Sequence, residues 1–184
     1  MDPLTPGRPR VATVWLGGCS GCHMSLLDLD ERLIELADKM ELVYGPLLDV
    51  KQFPDSVDAT LVEGAIANEE HLHQIQLIRQ RTKVLVAFGD CAVTGNVTAM
   101  RNPLGKADVA LVRAYLENAD MNPRRPAEPG IVPRLLDRVV PLHEIVPVDA
   151  HLPGCPPSAD LIYFVISELL AGRTPDLAGQ LKYG

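Results

Sequence analysis

Four apolar runs in this chain each end in a short turn of small residues, and three of those turns carry all four cysteines. The runs are Val11–Leu16, Val57–Val62, Lys83–Phe88 and Val146–Ala150. Near-continuous apolar runs of this length read as strands buried on both faces. Amphipathic stretches stand between them. Helical spacing of leucine and isoleucine covers Met24–Met40 and Glu69–Arg81, the latter with Asn68 as its predicted N-cap. A third helix is predicted over Ala159–Ala171, capped by Ser158 and stopped by Gly172. Strands alternating with such helices predict an α/β fold, a parallel sheet with helices on both faces.

The intervening segments are less regular. Glu41–Tyr44 reads as a short strand ended by Gly45-Pro46, with a loop over Asp49–Asp55. Lys106–Asn118 is expected to be helical. Met121–Gly130 contains Pro123, Pro126 and Pro129 and reads as a loop. Pro141 argues against both a long helix and a central strand over Leu135–Val146.

The cysteines are not scattered. Cys19 and Cys22 follow the first run, Cys91 follows Lys83–Phe88, and Cys155 follows Val146–Ala150. Glu63-Gly64 occupies the matching place after Val57–Val62. Right-handed crossovers put the carboxyl ends of parallel strands on one edge, which is where α/β sheets bind ligands. The neighbours of each cysteine are small or restricted: Gly17, Gly18 and Gly21 around the pair, Gly89 and Gly95 around Cys91, and Gly154, Pro156 and Pro157 around Cys155. Backbone amides in such turns can donate to sulfur and help bury a negatively charged cluster. Four thiolates can hold a 4Fe–4S cluster or zinc. A structural zinc site favours two tight pairs, and here only Cys19 and Cys22 are tight. A CxxC at a helix N-terminus also suits a dithiol redox protein, which leaves Cys91 and Cys155 unused. Four unrelated core cysteines is the remaining reading.

Composition narrows the function classes. A chain of 184 residues can bury a real core in one domain without disulfide staples. Its net charge of -7, with no dense Lys/Arg cluster, argues against nucleic acid. The apolar segment Leu161–Leu170 is too short to span a bilayer, so no direct membrane insertion is expected. Met1–Arg10 carries Pro3, Pro6 and Pro9 and no apolar core, unlike a signal peptide. A cytoplasmic location follows, where cysteines serve metals or redox chemistry more than disulfides. No GxGxxG or GxxxxGK[ST] phosphate loop is present to hold FMN.

Several further residues are candidates. Glu63 stands at the cysteine edge with a possible proton or interface role; the alternative is a capping or salt-bridged carboxylate in the strand-end turn. His23 could hydrogen-bond a thiolate or lie exposed at a helix start. His151 is a possible donor near Cys155, and Thr94 a possible donor to a cluster or a turn hydroxyl. His71 and His73 are read as surface residues, and Trp15 as core or interface packing.

Cys19-Ser20-Gly21-Cys22, Glu63-Gly64, Gly89-Asp90-Cys91-Ala92-Val93-Thr94-Gly95-Asn96 and Gly154-Cys155-Pro156-Pro157 together resemble the small subunit of nickel–iron hydrogenases. The resemblance runs from about Val11 to Gly172. It implies a flavodoxin-like domain, shared with the 20 kDa cluster-bearing subunit of respiratory NADH:quinone oxidoreductase. It also implies that Cys19, Cys22, Cys91 and Cys155 hold one proximal 4Fe–4S cluster. Residues 1–10 would then be an N-terminal extension, 11–172 a single cluster-binding α/β domain, and 173–184 a C-terminal tail. The quinone-reducing relatives have adjacent cysteines in the first motif; here two residues separate them. Exported hydrogenases carry a longer signal and a C-terminal extension with further cysteines, and neither is seen here. The chain is most similar to the soluble, bidirectional, NAD-reducing type. In that type the nickel–iron centre lies in a large subunit, and diaphorase subunits carry FMN, NAD and further iron–sulfur clusters. No catalytic residue is then expected in this chain. The equivalent subunit of a membrane-associated energy-converting hydrogenase, or of an NADH:quinone oxidoreductase-like complex, is the alternative, and a zinc or dithiol protein the second.

Overall fold

A computed structural model describes residues 7–179. Pro3 and Pro6 at the start, and residues 180–184 of the tail, lie outside the described residues. The first strand, β1, is Arg10–Trp15. Then come α1 (Gly21–Leu27), α2 (Arg32–Lys39), β2 (Glu41–Tyr44), β3 (Val57–Glu63), β4 (Ile66–Asn68), α3 (Glu69–Arg81) and β5 (Thr82–Phe88). The second half holds α4 (Asp90–Thr94), α5 (Asn96–Ala99), α6 (Ala107–Val112), β6 (Leu135–Val140), β7 (Ala150–Leu152) and α7 (Ala159–Leu170).

Five strands form one parallel sheet in the order β2-β1-β3-β5-β7. Counting only these strands, the order is 2-1-3-4-5, the flavodoxin-like arrangement. β3 is buried along its whole length, as a central strand covered on both faces must be. Alternate residues feed two cores. Val84, Val86 and Phe88 of β5 face Leu29, Leu36 and the α7 residues Ile162, Val165 and Ile166. Leu85 and Ala87 face Ile75 and Ile78 of α3 with Phe53 and Leu142. The predicted caps form: Asn68 accepts the His71 amide at 2.7 Å, and Ser158 accepts that of Leu161 at 3.3 Å.

The structure corrects several sequence expectations. The helix expected over Met24–Met40 is two helices. The break falls at the acidic Asp28–Glu31 turn, where Asp30 takes φ 50°. The bend lets Leu29 and Leu36 both reach the core while Asp28 and Asp30 stay in water. The strand expected at Val146–Ala150 is displaced to Ala150–Leu152. Pro147 lacks a ladder donor, and the Asp149 carboxylate, rather than a backbone carbonyl, takes the Leu85 amide at 2.7 Å. Lys106–Asn118 begins as α6 and continues over Arg113–Glu117 with i→i+5 bonding. Within Leu135–Val146, β6 pairs antiparallel with β4 as a small second sheet and ends at Pro141. No helix among the described residues is long and apolar enough to cross a membrane.

Candidate metal centre

The sheet order reverses between β1 and β3, the crevice where folds of this kind bind ligands. Cys19 and Cys22 lie just past β1, on a turn where Ser20 takes the left-handed φ of 65° that opens α1. Cys22 is in the first turn of α1 and is buried; Cys19 is exposed. Cys91 is in the first turn of α4, just past β5, and is buried. Cys155 follows β7 and is exposed.

Hydrogen bonds lash these turns to one another. The Leu16 amide donates to the Glu63 carbonyl at 2.8 Å, and Gly17 and Ala65 exchange amide bonds at 3.1 and 2.8 Å. Thr98 Oγ1 donates to the Gly17 carbonyl at 2.7 Å, joining α5 to the first cysteine turn. The Gly154 amide donates to Asp90 Oδ1 at 2.7 Å, and the Asp90 amide returns to the Gly154 carbonyl at 2.9 Å. That exchange locks the Cys91 and Cys155 turns together. Ser25 Oγ donates to the Pro157 carbonyl at 2.6 Å, tying α1 to the Cys155 loop. The close approach requires glycine at Gly64, where φ is +96° and a Cβ would strike the backbone of Gly17. It also requires glycine at Gly89, where φ is +82° and a Cβ would land on Cys22 Sγ.

Cys22 lies within the electrostatic reach of the other three thiols. The Cys22 thiol is pushed up, first by burial, then by the charge of Glu63, then by those of Cys91, Cys19 and Cys155. Burial also raises Cys91, against donation from the Thr98 and Val97 amides. Asn96 Nδ2 donates to Cys155 Sγ at 3.4 Å. The two buried thiols, Cys22 and Cys91, resist ionising unless a cationic group offsets their charge; a metal deprotonates its thiol ligands outright. Among the described residues, no three His, Cys, Asp or Glu side chains are placed to hold one metal ion. Four soft sulfur donors, glycine-sized clearance at Cys22 and N–H donors aimed at sulfur suit an iron–sulfur group, whose core keeps its ligands further apart than one ion would.

The other predicted residues fall out unevenly. Glu63 is 1% exposed; its Oε2 accepts the His23 amide at 3.0 Å and meets His23 Nδ1 at 2.5 Å. His23 is 5% exposed, neither at the surface nor bonded to a thiolate. Thr94 Oγ1 donates to the Asp90 carbonyl at 2.9 Å, so it is the turn hydroxyl. His151 is exposed and packs edge-on against His143, with ring centroids 6.1 Å apart. His73 is at the surface, but His71 is half-buried, its Nδ1 facing the Ala67 amide at 3.3 Å. Trp15 is 47% exposed and no part of the core. The sequence reading gave no roles to Asp90, Asn96, Thr98 or Ser25. Asp90 and Asn96 flank Cys91 within a motif, which is a local signal; Thr98 and Ser25 reach across the fold and leave none.

Comparison with known proteins matches residues 19–169 to the model of the NADH ubiquinone oxidoreductase, 20 Kd subunit family. The chain belongs to this family. Among its relatives, the chain is 39% identical over 190 residues to the NAD-reducing hydrogenase HoxS subunit delta of Cupriavidus necator, covering 99% of this chain and 90% of that protein. It is 37% identical to a vhu subunit of the F420-non-reducing hydrogenase of Methanocaldococcus jannaschii, over 91% of this chain but only 58% of that longer protein. A chain in the crystal structure of an NAD+-reducing [NiFe]-hydrogenase in the H2-reduced state superposes with a TM-score of 0.91 at 38% identity, covering 97% of this chain and all of that one.

Proposed function

We propose that this chain is the electron-transfer subunit of an NAD-reducing nickel–iron hydrogenase, with Cys19, Cys22, Cys91 and Cys155 holding one proximal 4Fe–4S cluster. The observation that carries the reading is the convergence of four thiols, from three turns far apart in sequence, on the sheet edge beside the topological switch point. Near full-length similarity to a subunit of an NAD-reducing hydrogenase supports the choice of machine. The cluster supplies one-electron transfer, at a potential set by burial and by hydrogen bonds to its sulfurs.

This chain's own residues make the seat. Gly89 leaves room at Cys22 Sγ. Asn96 Nδ2 donates at Cys155 Sγ, and the Val97 and Thr98 amides favour the thiolate of Cys91. Glu63 holds the first turn of α1, and so the backbone that carries Cys22, through the His23 amide. No residue here breaks or forms bonds in the substrate. In the assembly, H2 + NAD+ = NADH + H+ takes place in partners: a large subunit with the nickel–iron centre, and diaphorase subunits with FMN, NAD and further clusters. The complex works in the cytoplasm.

The test is iron and acid-labile sulfide per chain after anaerobic purification, with an EPR spectrum of the reduced protein. About four irons per chain, as the cubane requires, and co-purifying diaphorase subunits support the reading. Zinc without sulfide overturns it, and co-purifying membrane subunits transfer the chain to an energy-converting relative.

A further inference from the structure

The first three residues of α5 serve two of the four sulfurs. The Val97 and Thr98 amides donate toward Cys91. Asn96 Nδ2 donates to Cys155 Sγ at 3.4 Å, from 59 residues away in sequence. The two thiols are supplied differently for a reason written in the chain. Cys155 is followed by Pro156 and Pro157, and neither has an N–H to turn back on the sulfur. Among the described residues the donor at Cys155 Sγ is therefore a side chain, where Cys91 is met by backbone.

Asn96 reaches Cys155 from a strained backbone. Its φ is +30°, in the left-handed region that residues other than glycine seldom adopt, and it follows Gly95 at φ +89°. It is pinned on both sides: the Gly95 amide donates to the Cys91 carbonyl at 2.9 Å, and Thr98 Oγ1 to the Gly17 carbonyl at 2.7 Å. Such conformations persist where the surrounding structure over-determines them, and they cluster at functional sites. A thiolate can only accept, so the NH2 end of the amide is the end that faces sulfur.

We propose that Asn96 is a positioning residue for electron transfer: its side-chain amide holds the Cys155 thiolate and raises the reduction potential of the iron–sulfur group that Cys155 ligates. The inference rests on the cluster reading above. Reduction adds one electron and breaks no bond, and the N–H stays on Asn96. The added charge is shared with the thiolate sulfurs, and a donor bonds a more negative acceptor more strongly. The reduced state is therefore favoured, in keeping with the dependence of cluster potentials on hydrogen bonds to sulfur.

The experiment is a redox titration of the intact, anaerobically purified complex, followed by EPR at the signal that Cys155→Ser abolishes. Asn96→Gly is the informative variant, because glycine accepts φ +30° freely and only the donor is lost. Its reduction equilibrium should fall about threefold to tenfold, a shift of about 30 to 60 mV to lower potential at about 59 mV per decade for one electron. Asn96→Asp keeps the shape, sets a carboxylate against the thiolate, and should lie lower still. An asparagine present only to form the left-handed turn predicts an unchanged potential in Asn96→Gly; that result, or a shift upward, overturns the proposal. Where Asn96→Gly loses iron, Asn96→Asp decides: a lower potential supports the role, an unchanged or higher one overturns it. Loss of iron from both variants also overturns it, since Asn96 would then be part of the seat and not a determinant of potential. Iron and acid-labile sulfide are measured on every variant. A full cluster at unchanged potential sinks the role of Asn96 alone, while zinc without sulfide sinks the functional reading.

Discussion

Glu63 Oε2 binds His23 twice, taking its backbone amide at 3.0 Å and its Nδ1 at 2.5 Å, from a strand position 40 residues away in sequence. Because His23 follows Cys22 directly, this carboxyl sets the first turn of the helix that carries a cysteine. Removing it leaves a buried amide and a buried imidazole without their acceptor. Glu63→Ala is expected to cost about 3–5 kcal/mol, and Glu63→Gln, which keeps the shape and one acceptor oxygen, about 1–3 kcal/mol. Thermal or denaturant unfolding of the purified subunit measures both. Equal losses in the two variants would mean that the carboxylate itself, and not the shape of the side chain, is what α1 requires.

Substituting Cys91 or Cys155 by serine tests the ligand set. Each change should remove the reduced-state EPR signal and lower iron well below about four per chain, because a cubane needs all its thiolates. Thr94→Val is the control from the same motif: its hydroxyl is spent on the Asp90 carbonyl, so iron content should be unchanged. Retained signal in Cys155→Ser would reduce the site to Cys19 and Cys22 acting as a dithiol.

Gly89→Ala adds a methyl where Cys22 Sγ already sits, at a backbone φ of +82° that a side chain resists. The expected result is insoluble protein or a chain that binds no iron. Gly105→Ala provides the comparison, since its φ of +84° is similar but a Cβ there meets nothing within 4 Å. That variant should fold and load, losing about 1–3 kcal/mol for the strained backbone.

Asn68 caps α3 through its side-chain oxygen. Asn68→Ala should destabilise the protein by about 1 kcal/mol and Asn68→Asp by far less, as read by the denaturant midpoint. Neither should alter iron content, because the Asn68 side chain bonds within the first turn of α3 and to no cysteine.

His71 provides a pH prediction. Burial lowers its pKa below the ordinary 6.5, against an opposing effect of Glu70 and the Ala65 carbonyl. The unfolded chain therefore takes up the proton first as pH falls, and the stability tied to the neutral ring is complete above pH 6.5 and declines below it. Unfolding followed from neutral pH down to about pH 5 should show a slope that His71→Gln flattens. An unchanged slope would assign the acid sensitivity elsewhere.

Much of this protein was legible because its signals are local. Apolar runs of strand length, helical spacing over Glu69–Arg81, a cap at Asn68 and cysteines just past strand ends all depend on residues close in sequence, and each reappears in the fold. Where neighbours from elsewhere compete, local reading failed. The spacing over Met24–Met40 was continuous, yet Leu29 and Leu36 reach the core only if the helix breaks. Val146–Ala150 was apolar enough for a strand, yet Asp149 met the Leu85 amide with its side chain and delayed pairing until Ala150. β4 was too short to see and exists because β6 returns to it.

The same division runs through the site. That four thiols stand at strand ends follows from order along the chain, and right-handed crossovers suffice to send them to one edge. What binds His23 does not follow from order. Trp15 pairs in register with Glu63, and that pairing of β1 with β3 brings the carboxyl under α1. A shift of one residue would turn Glu63 to the other face of the sheet. Only the tertiary structure decides such a contact, because strand register is settled by both cores packing at once and is written in no single stretch of the sequence.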